Sequence, residues 1–194
     1  MRTETGKIRA FIAIELPDAV KEFLEDISSK LKQCRADVNW VRPERIHLTL
    51  KFLGSVSTDL IPIIQERLLP VFSGQRPISL QVARLGAFPG LARPRVIWAG
   101  LDDPDRSVGG LASSLEQVLE PLGFKPEKRP FRSHLTLGRV RSNRNSGELM
   151  ETVRQFMDIS GPSFVADHAV LFESVLKPSG AEYFAISRFV FAQS

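Results

Sequence analysis

One cysteine, one tyrosine and three histidines are all that the 194 residues hold of these types. The single thiol, Cys34, excludes an internal disulfide and leaves no C-x-x-C pair to bind zinc. No H-E-x-x-H occurs either. Apolar runs stay well short of the roughly 18 residues that a membrane-spanning helix needs. Met1–Ile8 mixes acid and base and has no apolar stretch, so it does not read as a signal peptide, and a cytoplasmic location without membrane association is expected. Charge of neither sign dominates: a net +4 suits an anionic ligand without requiring one. Apolar content of 43% and charged content of 25% are those of an ordinary globular protein, long enough for one well-buried domain.

The scarce histidines are placed unusually. His47–Leu50 and His134–Leu137 are the same tetrapeptide, His-Leu-Thr-Leu. After a second histidine, the chance of finding Leu-Thr-Leu again is on the order of one in a thousand at average residue usage. In a strand, side chains alternate between faces, so each copy puts its His and Thr on one side and its two Leu on the other.

The surrounding pattern repeats as well. Arg9–Leu16 reads as a strand and Asp18 to Lys32 as an amphipathic helix with Val20, Phe23, Leu24, Ile27 and Leu31 on one stripe. A short strand is expected at Asn39–Val41, then the strand Ile46–Leu53, ended by Gly54. A helix from Asp59 to Phe72 tolerates Pro62 in its first turn. Strands follow at Ile78–Ala87 and Arg95–Leu101, a helix at Asp105–Leu119, a strand at Phe131–Val140 and a helix near Gly147–Met157. A closing hairpin, Ser163–Ser174 and Glu182–Phe191, turns at Lys177-Pro-Ser-Gly180. An offset of 87 residues sets Phe11 against Trp98, Asp18 against Asp105 and His47 against His134. The expected fold is α+β: a bilobed, pseudo-two-fold duplication with halves at about 8–88 and 95–192. Two antiparallel sheets should line a central cleft, with helices outside, and residues 1–194 should form one domain.

Imidazole ionises near pH 6.5, so one ring can take a proton while the other gives one. On a phosphodiester, the base activates water and the acid protonates the departing oxygen. The two threonines can donate to the non-bridging oxygens, and nothing in the scheme needs a metal or cofactor.

The stretches RAFIAIELP, NWVRPERIHLTLKFLG, RPRVIWAGL, FRSHLTLGRV and LFESVLKPSGAEYFAI resemble, in order, the two-histidine phosphoesterases. The nearer likeness is to RNA 2′,3′-cyclic phosphodiesterases, also called 2′-5′ RNA ligases. That resemblance implies a bilobed fold around a basic cleft, His47 as proton donor, His134 as proton acceptor, Thr49 and Thr136 as phosphate ligands, and a 2′-phosphate product. Ser133 departs from the Pro that often precedes the second motif in relatives. The implied partner is RNA with a cyclic phosphate end, or a small cyclic nucleotide, acted on by a monomer. Reversible 2′-5′ ligation uses the same groups, and a non-catalytic RNA- or nucleotide-binding protein is the alternative from another class.

Lys51 continues the parity of His47 and Thr49, so it is expected in the cleft as a phosphate ligand. Arg139 matches a family arginine but reaches the cleft only if a bulge, which Gly138 permits, breaks the alternation. Phe11 and Trp98 could stack a base at the cleft mouth. Arg42, Arg45, Arg129 and Arg132 flank the motifs and could steer an RNA end; His168 has no partner motif and reads as structural.

Overall fold

Strand β1 (Lys7–Ile14) shows how the molecule divides its two faces. Ala10, Ile12 and Ile14 enter the main hydrophobic core, whereas Phe11 and Ala13 join a small separate cluster with Val170 and Phe172, with Tyr183 packed on it. The computed structural model describes residues 6–178 and 180–192. After β1 come α1 (Asp18–Lys32), β2 (Val38–Trp40), β3 (Leu48–Ser57), α2 (Ile61–Ser73), β4 (Ile78–Phe88) and β5 (Val96–Asp102). They are followed by α3 (Ser107–Leu119), β6 (His134–Val140), α4 (Ser146–Gln155), β7 (Ser160–Ala166), β8 (His168–Lys177) and β9 (Gly180–Val190).

Helix α1 forms where the apolar stripe predicts it. Val20, Leu24, Ile27 and Leu31 are buried at 3–4 residue spacing, Asp18 sits in the first turn, and Lys30 and Lys32 in the last. Leu24 and Leu31 are fully enclosed, so truncating either to Ala should cost about 2–5 kcal/mol. Pro62 lies in the first turn of α2, where its missing N–H is no loss. Helix α3 starts two residues later than the pattern suggests. The Asp103 carboxylate accepts the backbone N–H groups of Ser107 and Val108, at 3.0 and 2.8 Å, and so fixes the first turn.

The strands run in the order β7-β4-β5-β6-β3-β1-β8-β9, all antiparallel, with β2 also paired to β6. The two expected antiparallel sheets are present as the two sides of this order. They join through one residue pair, Leu48 with Leu135. Helices α2 and α3 pack behind the β3 and β9 side, and α1 and α4 behind β7 and β4.

The spatial lobes are not the sequence halves. β4, from the first half, pairs with β5 and β7, whereas β8 and β9, from the second, extend β1. Each lobe thus borrows strands from the other repeat, which is why no linker is visible between them. The strand expected at Ser163–Ser174 is broken at Asp167 for the same reason: β7 goes to one edge of the sheet and β8 crosses to β1. Gly54 does not end β3. Its positive φ of 72° lets the chain bend and continue to Ser57. In the final turn Lys177 pairs with Gly180, and Ser179 lies outside the described residues. Among the described residues no helix is long and apolar enough to cross a membrane.

Candidate functional site

The pair Leu48–Leu135 is also the centre of the site. Both leucines are fully buried in the core, so the residues flanking them, His47 and Thr49 on one strand, His134 and Thr136 on the other, share the opposite face. Because the strands run antiparallel, His47 lies toward Thr136 and Thr49 toward His134. The diagonal spacing of such a pair, roughly 7–8 Å, leaves room for a phosphate between the two imidazoles.

Each ring is fixed by its own backbone. His47 Nδ1 donates to the carbonyl of Arg45 at 2.8 Å, and His134 Nδ1 donates to that of Arg132 at 2.7 Å. A carbonyl only accepts, so both Nδ1 atoms carry hydrogen and Nε2 is left to exchange a proton with a ligand. Aromatic rings brace them further. Phe11 and Tyr183 lie 4.8 and 5.1 Å from His47, and Phe88 meets His134 edge-on at 5.1 Å. Burial among these rings lowers the His47 pKa below the usual imidazole value, although the bond to Arg45 opposes this.

Two bulges at matching positions decide what else faces the cleft. Along β1, Ala13 pairs with Thr49 but Ile12 with Lys51, so Leu50 is the extra residue. Along β5, Trp98 pairs with Thr136 but Ile97 with Gly138, so Leu137 is the extra residue. Leu50 and Leu137, 87 residues apart, thus interrupt the alternation in the same way.

Lys51 therefore loses the simple parity with His47 and Thr49, although it still lines the cavity beside Thr49. It is 7% exposed, ion-paired with Glu116 of α3, and donates to the Lys125 carbonyl at 2.8 Å. Phe52, the next residue, is 69% exposed, lines the cleft and lies 6.1 Å from Phe11. In the other lobe, a Cβ on Gly138 would point at Val38 and Trp40, on the core side. Arg139, exposed, comes next and returns to the face of His134 and Thr136. Phe52 carries no signal in the sequence; only the bulge reveals it.

Phe11 does not stand at the cleft mouth. At 3% exposure, and stacked 5.2 Å from Phe172, it is a support beneath His47 and has no free face for a base. Trp98 is half-buried in a slot over Gly86 and Gly100, where any Cβ would collide, and stacks on Phe88.

A cavity of about 1360 Å³ opens at Thr49 and His134. Its wall includes Arg93, Arg95, Lys125, Arg129 and Arg132 as well as Lys51, against only Glu116 and Glu127 of opposite sign. Arg42 and Arg45 are not part of it. Among the described residues no three His, Cys, Asp or Glu side chains gather to hold a metal ion. His168 is bonded to Asp167 at 2.6 Å and Glu15 at 3.1 Å, and its bond holds the Asp167 carboxyl below the usual range.

One His-x-Thr from each half of a duplicated sheet, brought side by side at Leu48–Leu135 next to a basic cavity, defines a two-histidine phosphoesterase. The family described as LigT like Phosphoesterase matches residues 14–98 and again 101–183, and the chain belongs to it. It is 32% identical over 177 residues to the RNA 2′,3′-cyclic phosphodiesterase of Methanothermobacter thermautotrophicus, covering 91% of this chain and 95% of that protein. The protein of the same name from Archaeoglobus fulgidus is 34% identical over 176 residues, covering 91% of this chain and 96% of that one. Escherichia coli LigT in its apo form superposes with a TM-score of 0.77 at 26% identity, covering 97% of this chain and all of that one. A Thermus thermophilus protein gives the same TM-score of 0.77 and 26% identity over 95% of this chain and 98% of its own. The chain is thus an enzyme of the phosphoesterase class.

Proposed function

We propose that the protein opens the 2′,3′-cyclic phosphate at an RNA end to a 2′-phosphate, without a metal. The observation that carries this reading is the crossing at Leu48–Leu135, which sets two imidazoles, each bonded to its own backbone through Nδ1, on one face with a threonine beside each. Relatives named RNA 2′,3′-cyclic phosphodiesterase, about a third identical over nine-tenths of the chain, support the substrate.

In this scheme His134 Nε2 takes a proton from water as its oxygen attacks phosphorus. The bond to the ribose 3′ oxygen breaks, and that oxygen receives the proton of His47 Nε2. Thr49 and Thr136 donate to the non-bridging oxygens, where charge grows in the transition state. Burial biases the free His47 toward its neutral form. An anionic phosphate arriving beside the ring reverses that bias, so the donor is charged when substrate is bound. Both histidines come from one chain, so a monomer suffices.

The test is an RNA oligonucleotide ending in a 2′,3′-cyclic phosphate, incubated with the protein in EDTA, with product ends mapped by mass and phosphatase treatment. A 2′-phosphate is expected. A 3′-phosphate, or activity only with added divalent metal, would contradict the scheme.

A further inference from the structure

A second cavity, of about 670 Å³, adjoins the cleft, and Arg93 and Arg95 line both. Arg141, Ser142, Asn143 and Ser146 complete its polar wall. No Asp or Glu contributes, and none of the three guanidinium groups has a carboxylate partner among the described residues. Three uncompensated arginines around one hollow, with hydroxyl and amide groups between them, form a receptor for an anion with several acceptor oxygens.

The wall is pre-formed. The backbone N–H of Arg141 donates to the Asp37 carbonyl at 2.8 Å and that of Val140 to the Arg95 carbonyl at 3.0 Å. The Asn145 amide donates to the Cys34 carbonyl at 2.9 Å, tying down the far end of the loop. Such fixing lowers the ordering cost of binding.

We propose that this pocket holds an internal phosphodiester of the RNA strand, on the 5′ side of the reacting end. The identity of the strand rests on the reaction proposed above. A nucleoside cyclic phosphate bound between the histidines would leave Arg141 without a partner; a longer chain would not. A strand leaving the cleft on the α3 side meets mixed charge, with Glu116 (paired with Lys51) and Glu127 set among Lys125, Arg129 and Arg132. Over Arg93 and Arg95 it meets cations alone until it reaches Arg141. The pocket thus makes the enzyme a reader of polynucleotide ends in preference to mononucleotides.

The test compares wild type, R141A and R141K in two assays. One is anisotropy with a labelled oligoribonucleotide ending in a 3′-phosphate. The other is turnover of a cyclic-ended oligonucleotide and of a mononucleoside 2′,3′-cyclic phosphate. R141A should weaken oligonucleotide binding about tenfold and lower the log–log salt slope by about 1, with R141K recovering part of the affinity. Its kcat/KM should fall on the oligonucleotide and stay unchanged on the mononucleoside. Unaltered oligonucleotide affinity, or parallel losses on both substrates, would overturn the pocket. If wild type turned over neither substrate while R141A still weakened binding, the reaction would fail and the pocket would stand.

Discussion

The two lobes begin from the same tetrapeptide and end with different chemistry around it. Both imidazoles bond to the carbonyl two residues back, and both strands bulge at the second leucine. Beyond the bulge they part. The His47 lobe has exposed Phe52 lining the cleft next to a buried Lys51, whereas the His134 lobe has an exposed Arg139 next to Gly138, where a lysine would be. His47 is enclosed by Phe11 and Tyr183; His134 lines the open, basic cavity. Duplication supplies the symmetric pair, and the residues around each histidine give it a separate environment.

The strongest way to break the comparison is to remove either histidine. His47→Ala and His134→Ala should each lower kcat/KM by about 10²–10⁴, with circular dichroism and melting close to wild type. Near-normal turnover in either variant would mean that one lobe alone does the chemistry.

How much of this the sequence discloses follows from the same residues. The repeat, the two tetrapeptides and the helical stripe of α1 depend on local periodicity, and they are legible. The strand exchange is not, because nothing local to Ser163–Ser174 says that β7 and β8 go to opposite sides of the sheet. The faces of Lys51 and Phe52 are hidden too, because a bulge at Leu50 leaves no mark on the hydrophobic pattern. At Arg139 the neighbouring glycine does give a hint. Phe11 shows a further limit: an aromatic residue on a strand looks the same in sequence whether it supports a catalytic ring or stacks a base.

Smaller effects should separate the lobes beyond their bulges. Arg139→Ala should reduce kcat/KM on RNA ends by about tenfold or more, and Lys should not fully replace it, since a guanidinium fork grips phosphate differently from an ammonium. Phe52→Ala should raise KM by roughly an order of magnitude if the exposed ring stacks a base, a loss of about 1–3 kcal/mol. Steady-state kinetics on both variants check this, and an unaffected Phe52→Ala would leave that ring without a role in binding.

At the next position the readout is stability. Lys51→Met should cost about 1–3 kcal/mol by stranding the Glu116 carboxylate, with turnover per folded molecule retained. Gly138→Ala should cost a similar amount, about 1–3 kcal/mol, because its Cβ meets Val38 at 2.6 Å and Trp40 at 2.9 Å. Denaturant titrations measure both. Loss of turnover in a stable Lys51→Met protein would return that lysine to the phosphate site.

The subtlest difference is in titration. His47 should titrate below the ordinary imidazole value of about 6.5 in the free protein, and rise when inorganic phosphate binds. With the folded value depressed, the unfolded chain binds the proton more readily. Stability from this group is therefore full above about pH 6.5 and declines as pH falls through the lowered folded value. NMR of the ring protons, assigned by single substitutions, reads the titration directly; a His47 midpoint at or above 6.5 would contradict the burial argument.

The division of labour between the two histidines is tested most directly by changing the leaving atom. A 2′,3′-cyclic substrate with sulfur at the 3′ position expels a thiolate, which needs no proton. His47→Ala should regain most of its lost rate on this substrate, relative to oxygen, while His134→Ala stays impaired because water must still be activated. Equal deficits in both variants, or rescue of His134→Ala alone, would contradict the assignment of acid and base.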